Sequence, residues 1–308
     1  MFMVSEKWRQ FLACMRANVE SGAVPIARIN DAVRRILKVK LAWGLFERPR
    51  PAERFWSNHS SFGCAEHRAF AREAVRKSLV MLKNDNALLP LDRSARILVA
   101  GKNANSSGHQ CGGFTVDWQG LEGAKPVPGA TSVWEGIRQF APNAELSEDP
   151  LAGEADPQRH DVAIIVIGER PYAEGMGDIR SSDQVIVEAG SRINGTLKAL
   201  TAYGSTLDLS QLHPEDVACL RSVAEKGIPI VAILVSGRPL VAGPEISVSD
   251  AFVAAWLPGS EGAGIADVIF GDHDFQGRLG FAWPSTVPDA NGQCAELYPP
   301  GFGLSYSA

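Results

Sequence analysis

"VAIIVIGERPYAEGMGD", residues 162–178, decides how the rest of the chain is read. Its first seven residues are apolar or Gly, with no polar residue at alternate places. A strand with one wet face alternates, whereas a strand covered on both faces does not. The run then gives way to a loop of Gly, Pro and three carboxylates, Glu169, Glu174 and Asp178. Loops of this composition at the end of a buried strand are where layered α/β proteins keep their chemistry.

Working outward, the same kind of run recurs as "RILVAG" (96–101), "PIVAILVSG" (229–237) and "AFVAAWLPG" (251–259). Helical spacing is read at 131–140, 214–226 and 261–270, and in "AEHRAFAREAVRKSLV" near the start of the region, with "MLKNDNALLPL" after it as a turn. Strands alternating with helices predict an α/β fold with a mostly parallel β-sheet sandwiched between helices. "GRLGFAWP" (277–284) reads as an added edge strand that Pro284 ends. The stretch 179–206 has weak periodicity and reads as an insertion with no assigned role.

Before this region lie two helices, 5–21 and 27–43. In the second, Ile29, Ala32, Val33, Ile36, Leu37 and Leu41 keep the 3.6-residue rhythm of one apolar face, and Gly44 supplies a stop. A Pro-rich linker follows. Two helices cannot bury such faces against each other alone, so they read as the end of something larger or as a docking arm.

The totals narrow the function. Of 308 residues, 45% are hydrophobic and 21% charged, the proportions of an ordinary globular protein. A net charge of −5 and the lack of a basic run argue against a nucleic-acid partner. No apolar run approaches the roughly 20 residues that span a bilayer, so no membrane partner is expected. The opening "MFMVSEKWRQF" lacks the basic start and apolar core of a signal peptide, which leaves the compartment open. Five widely spaced Cys without a CxxC pair read as free, mostly buried thiols. The six His show no metal spacing, so neither a metal nor another cofactor is expected.

Several local features bear on chemistry. "GKNANSSGHQCGG" follows a strand but fits neither GxGxxG nor GxxxxGK[ST], so no phosphate cradle is expected. In "GGFTVDWQG", Phe114 and Trp118 stand among glycines; flat rings there suit the apolar faces of sugars, or Trp118 caps the core. Ser236 and Ser260 lie in no GxSxG elbow. Arg238, after a strand, suits an anion or a carboxylate partner, the pairing being the commoner outcome. The glycines of "GSEGAG" read as close packing against the sheet. Triplets at Asn58, Asn105 and Asn194 accept glycans only in a secreting host. The carboxylates of 168–178 suit general acid/base work, a solvated loop or a cap, and composition leaves these open.

Taken together, "ARINDAVRRILKVKLAWGLFE", "HRAFAREAVRKSLVMLKN", "QCGGFTVDWQG", "GERPYAEGMGD", "LVSGRPL", "VAAWLPGSEGAGIADVIFGD", "GRLGFAWP" and "PPGFGLSY", in that order, resemble glycoside hydrolase family 3. The resemblance implies a retaining β-glucosidase or exo-β-glucanase with a (β/α)8 barrel that bears the nucleophile Asp, followed by an α/β sandwich that bears the acid/base. Residues 1–46 then correspond to the last piece of the barrel, 47–62 to a linker and 63–308 to the sandwich. By the same resemblance Glu174 is the acid/base, and Trp118 stacks on the sugar. Phe114 stands where Trp is more usual, Glu169 is structural, and Asp178 orders the loop. The implied partners are a β-glucoside or β-glucan oligosaccharide, and a barrel or second copy met through 1–46. Because the nucleophile has no counterpart here, the chain alone is expected to be inactive. A non-catalytic carbohydrate-binding or interaction module is the alternative.

Overall fold

The computed structural model describes residues 2–4, 7–123, 126–180, 185–189, 198–289 and 291–306. Backbone contacts divide the chain into two units, 1–64 with 188–199, and 65–187 with 200–308.

The first unit holds α1 (Trp8–Glu20) and α2 (Ile26–Ala42), and neither helix buries a residue. Val33, Leu37 and Leu41 of α2 stay exposed along the predicted stripe, as do Leu12 of α1 and Trp43, Phe46, Phe55 and Trp56 beyond α2. Asp31 pairs with Arg35 one turn on, which supports α2 by only a few tenths of a kcal/mol.

The second unit begins with α3 (Ala65–Ser78), β1 (Val80–Asn84), β2 (Ile97–Ala100), α4 (Ser107–Cys111), α5 (Val133–Phe140), β3 (Glu145–Leu146) and β4 (Val162–Gly168). After β4 come the strands β5 (Val185–Ala189) and β6 (Lys198–Thr201), which pair with each other apart from the main sheet and are divided between the two units at 187/188 and 199/200. The remainder runs α6 (Leu209–Leu212), α7 (Pro214–Ala224), β7 (Ile230–Val235), α8 (Gly243–Val248), β8 (Ala251–Trp256), α9 (Ala263–Ile269), β9 (Trp283–Pro284) and β10 (Glu296–Tyr298). The main sheet has the order β1-β8-β7-β4-β2-β3, parallel except for β1.

The unbroken apolar runs follow from cover on both faces. In β4, Ile164 and Val166 join Val231, Ile233 and Val253 under α3, α5 and α9. Ile165 and Ile167 face the other way, among Leu98, Leu234 and Phe252, with Leu220 and Val223 of α7. Each such side chain contributes about 1.5–3 kcal/mol on burial, which no polar alternate position could match. Ser132 starts α5 with a reciprocal cap, accepting from Glu135 N–H while Glu135 accepts from its own N–H.

Four expectations change. Val80–Asn84 is a strand, paired antiparallel to β8 directly after α3, rather than the end of a helix and the start of a turn. Only Trp283 and Pro284 of 277–284 form strand, and they pair with β10 in a separate ladder rather than at the edge of the main sheet. Gly262 and Gly264 pack against α5 and α3 rather than the sheet; a methyl on Gly262 would lie 2.6 Å from Ser132, and on Gly264 2.9 Å from Val75. Among the cysteines only Cys219 is buried, and Cys14 and Cys294 are exposed. Asn194 and much of 179–206 lie outside the described residues.

Candidate active site

The chain leaves β2 for β3 on one side and returns to β4 on the other, so the order reverses between β2 and β4. At such a reversal the following loops part and leave a crevice at the C-terminal ends of the strands. Here the fork is too tight for side chains. A methyl on Gly168, at φ +130°, would sit 1.9 Å from Val235 O, and one on Gly101, at φ +93°, 2.3 Å from Val166 O. Both positions need glycine.

The β4 loop carries Glu174, and the loop after α4 carries Trp118. The two side chains meet: the Trp118 indole N–H donates to Glu174 Oε2 at 3.1 Å. Glu174 is exposed and Trp118 half-buried, so one face of the pair is open to a ligand. Phe114 and Val116 project from the same loop, 68% and 71% exposed, with φ of +57° and +65°. A left-handed, β-branched Val costs on the order of 1–3 kcal/mol, strain typical of a binding loop.

Glu169 takes no part in that open face. It is buried, and Arg238 Nη2 reaches its Oε1 at 2.7 Å and Nε at 2.9 Å. Tyr172 O–H donates to Oε2 at 3.0 Å and Gly237 N–H at 3.3 Å. Burial pushes the Glu169 carboxyl above its ordinary range, with Arg238 pulling it back. Arg238 lies over the Tyr172 ring at 4.9 Å and also donates to Gly177 O, tying the far end of the loop to its base.

A second set of bonds fixes the backbone of the same base. Gly168 N–H donates to Asp216 Oδ2 at 3.0 Å, and Lys102 Nζ meets the same oxygen at 2.5 Å. Arg170 N–H donates to Tyr203 Oη at 2.6 Å, whose own proton goes to His213 Nε2 at 2.7 Å. His213 Nδ1–H then donates to Glu215 at 3.0 Å, and Lys102 reaches Glu215 at 3.3 Å, closing a ring of partners. Burial lowers His213 to about 4, so its ring is neutral and can accept from Tyr203. Burial lifts Asp216 to about 6 in spite of Lys102. A cavity of about 360 Å3 beside this ring includes Lys102, Ser147, Asp149, Asp216 and Cys219 but neither Glu174 nor Trp118. Its lysine is already spent on two carboxylates.

Of the residues singled out from sequence, the structure brings Glu174 and Trp118 together and keeps Phe114 on the neighbouring turn. Asp178 pairs with Arg180 at 2.6 Å and donates its N–H to Gly175 O at 3.3 Å. Arg238 takes the carboxylate partner. Tyr172, Tyr203, His213, Lys102 and Asp216 carry no motif that singles them out. Among the described residues no cluster suits a metal ion, and no helix is long and apolar enough to cross a membrane.

Fold and site define a doubly wound α/β sandwich domain with a carboxylate and an indole paired over its reversal point. The description "Glycosyl hydrolase family 3 C-terminal domain" matches residues 79–306. The chain belongs to glycosyl hydrolase family 3. It is 32% identical, over 94% of its length, to a lysosomal beta glucosidase of Dictyostelium discoideum, of which it covers 35%. It is 28% identical over its full length to a periplasmic beta-glucosidase of Salmonella typhimurium, covering 44% of it. Among solved structures, an exo-1,3/1,4-beta-glucanase of a Pseudoalteromonas species superposes with TM-score 0.73 at 39% identity, over 95% of this chain and 35% of that one. The chain thus spans between a third and a half of the length of these relatives.

Proposed function

We propose that this chain is the acid/base-bearing part of a retaining β-glucosidase or exo-β-glucanase that removes terminal β-D-glucosyl residues. The observation that carries the reading is the Trp118–Glu174 pair, an apolar face beside an exposed carboxyl, with Glu169 already engaged by Arg238. Residues 1–46 are then the terminal fragment of a (β/α)8 barrel, 47–62 a linker and 63–308 the sandwich.

In such a reaction the nucleophile Asp comes from the barrel and attacks the anomeric carbon. Glu174 gives its proton to the departing glycosidic oxygen, and the Asp–glucosyl ester forms. Glu174, now ionised, takes a proton from water, and the water oxygen displaces the Asp. The two carboxyl groups must stand roughly 5–5.5 Å apart. Trp118 offers the departing sugar a stacking face and holds Glu174 Oε2 through its N–H. With no nucleophile opposite Glu174, the chain alone should not turn over an aryl β-glucoside.

The test has two arms. Turnover by the purified 308-residue chain, abolished by Glu174→Gln, would overturn the inactivity. In a longer protein that carries the barrel as well, Glu174→Gln should cost on the order of 10²–10⁴-fold on alkyl glucosides. The loss should be far smaller in the glycosylation step of a dinitrophenyl glucoside, whose leaving group needs no proton; an equal loss on both substrates argues against an acid. A binding-only module is favoured by the exposure of Phe114, and glucan binding without hydrolysis, lost in Trp118→Ala, would support it.

A further inference from the structure

Three consecutive residues after the aromatic turn each meet one residue of the Glu174 loop, two by a hydrogen bond and one by close approach. Trp118 donates to Glu174 at 3.1 Å. Gln119 Oε1 accepts from Ala173 N–H at 2.7 Å. Gly120, at φ +85°, leaves room for Pro171; a methyl there would lie 2.5 Å from Pro171 Cβ. Gly113 closes the set, since a methyl on it would lie 2.2 Å from Tyr172 O. The loops run past each other like two facing rows, and the middle fastening is a side chain gripping a backbone.

Gln119 does this with half of its amide. Its Nε2 is buried and has no partner among the described residues. A buried donor without an acceptor is a standing cost that a Leu of similar shape would not carry. The side chain therefore contributes through its acceptor, and that acceptor is spent on the peptide next to Glu174.

We propose that Gln119 is a positioning residue for the acid/base. It touches Ala173 rather than substrate, and it holds the backbone that aims Glu174 at the Trp118 indole. This rests on the reading of Glu174 as the acid/base.

The test uses the full chain, labelled with ¹⁵N, with the Trp118 indole signal assigned through Trp118→Phe. Glu174→Ala marks where that signal lies without a carboxylate partner. Gln119→Leu should move it most of the way there and speed exchange of the Ala173 amide by on the order of tenfold, the equivalent of one hydrogen bond. Gln119→Glu keeps the acceptor and should leave the indole signal near its original place. Gln119→Asn, whose acceptor falls short, should behave as Gln119→Leu does, and serves if the Leu variant fails to fold. An indole signal unmoved in both the Leu and the Asn variants overturns the proposal, as does a Glu variant that moves it equally. These signals do not depend on turnover, so the positioning role can fail while Glu174 remains the acid/base, and the converse.

Discussion

Glu245, in the first turn of α8, is fully buried, and no other described residue donates a hydrogen bond to its carboxyl oxygens. Burial lifts its pKa from 4.5 to about 7; its own backbone N–H opposes the shift, and the negative charges of Asp216 and Asp208 add to it. The folded chain keeps this proton through a window in which the unfolded chain has already lost it. Ionisation therefore favours unfolding. The cost is absent below about pH 4.5, grows as pH rises through 7, and is then constant at about 3 kcal/mol. Against a typical stability of about 5–15 kcal/mol, this is a large part. Replacing Glu245 by Met removes the titrating group and both orphaned oxygens at similar volume, whereas Gln would leave a buried amide in their place. Urea unfolding followed by tryptophan fluorescence at pH 4.5, 6, 7 and 8 reads the effect. The variant's advantage over the parent should be about 3 kcal/mol greater at pH 8 than at pH 4.5, with unchanged dependence on urea. Two curves that run parallel from pH 4.5 to 8 would refute the reasoning, because a pH-independent difference has no proton in it.

Three further outcomes are expected. Burial lowers both His109 and His213 to about 4, so each is neutral when folded and protonates first when unfolded; stability should fall as pH drops from 6.5 to 4, by about 3 kcal/mol per histidine, and calorimetric melting of a His213→Asn variant should show a shallower acid limb. Gly168→Ala forces a methyl against Val235 O and should cost more than about 4 kcal/mol or prevent soluble expression, read by circular dichroism. Asp267 is buried between Arg72 Nε at 2.6 Å and Arg76 Nη1 at 3.2 Å. Asp267→Asn removes the carboxylate that both of these α3 arginines bond and should lose about 3 kcal/mol in urea unfolding.

The sheet was legible because both of its faces are covered, which turns β2, β4, β7 and β8 into short unbroken apolar runs rich in β-branched residues and bounded by Gly or Pro. β1 was not, because "VMLKN" follows α3 with only Leu79 between and ends in polar residues that a turn would also carry. Its pairing is decided by β8, some 170 residues away, which no local pattern reports. For the same reason composition alone left Glu169 and Glu174 equal. They separate only through partners distant in sequence, Arg238 for the first and Trp118 for the second. The family resemblance gives Glu174 the acid/base role and Glu169 a structural one, which composition does not. The ring through Tyr203, His213 and Lys102 left no trace in sequence, since it joins three loops by single polar atoms.

The two borders of the main sheet govern how copies of this protein could stick together. On one side β3 is only two residues long, too short to template a further strand. On the other, the ladder slips between Met81 and Lys83, and Leu304 N–H already occupies Met81 O at 2.9 Å. Among the described residues, a border this short and a border with a bulge and a bond from Leu304 both discourage a further strand from adding. The bare apolar stripe of α2 has no such guard. Clumping at high concentration should therefore be reversible and detergent-sensitive, and a chain beginning at Ala65 should remain dispersed where the full one does not.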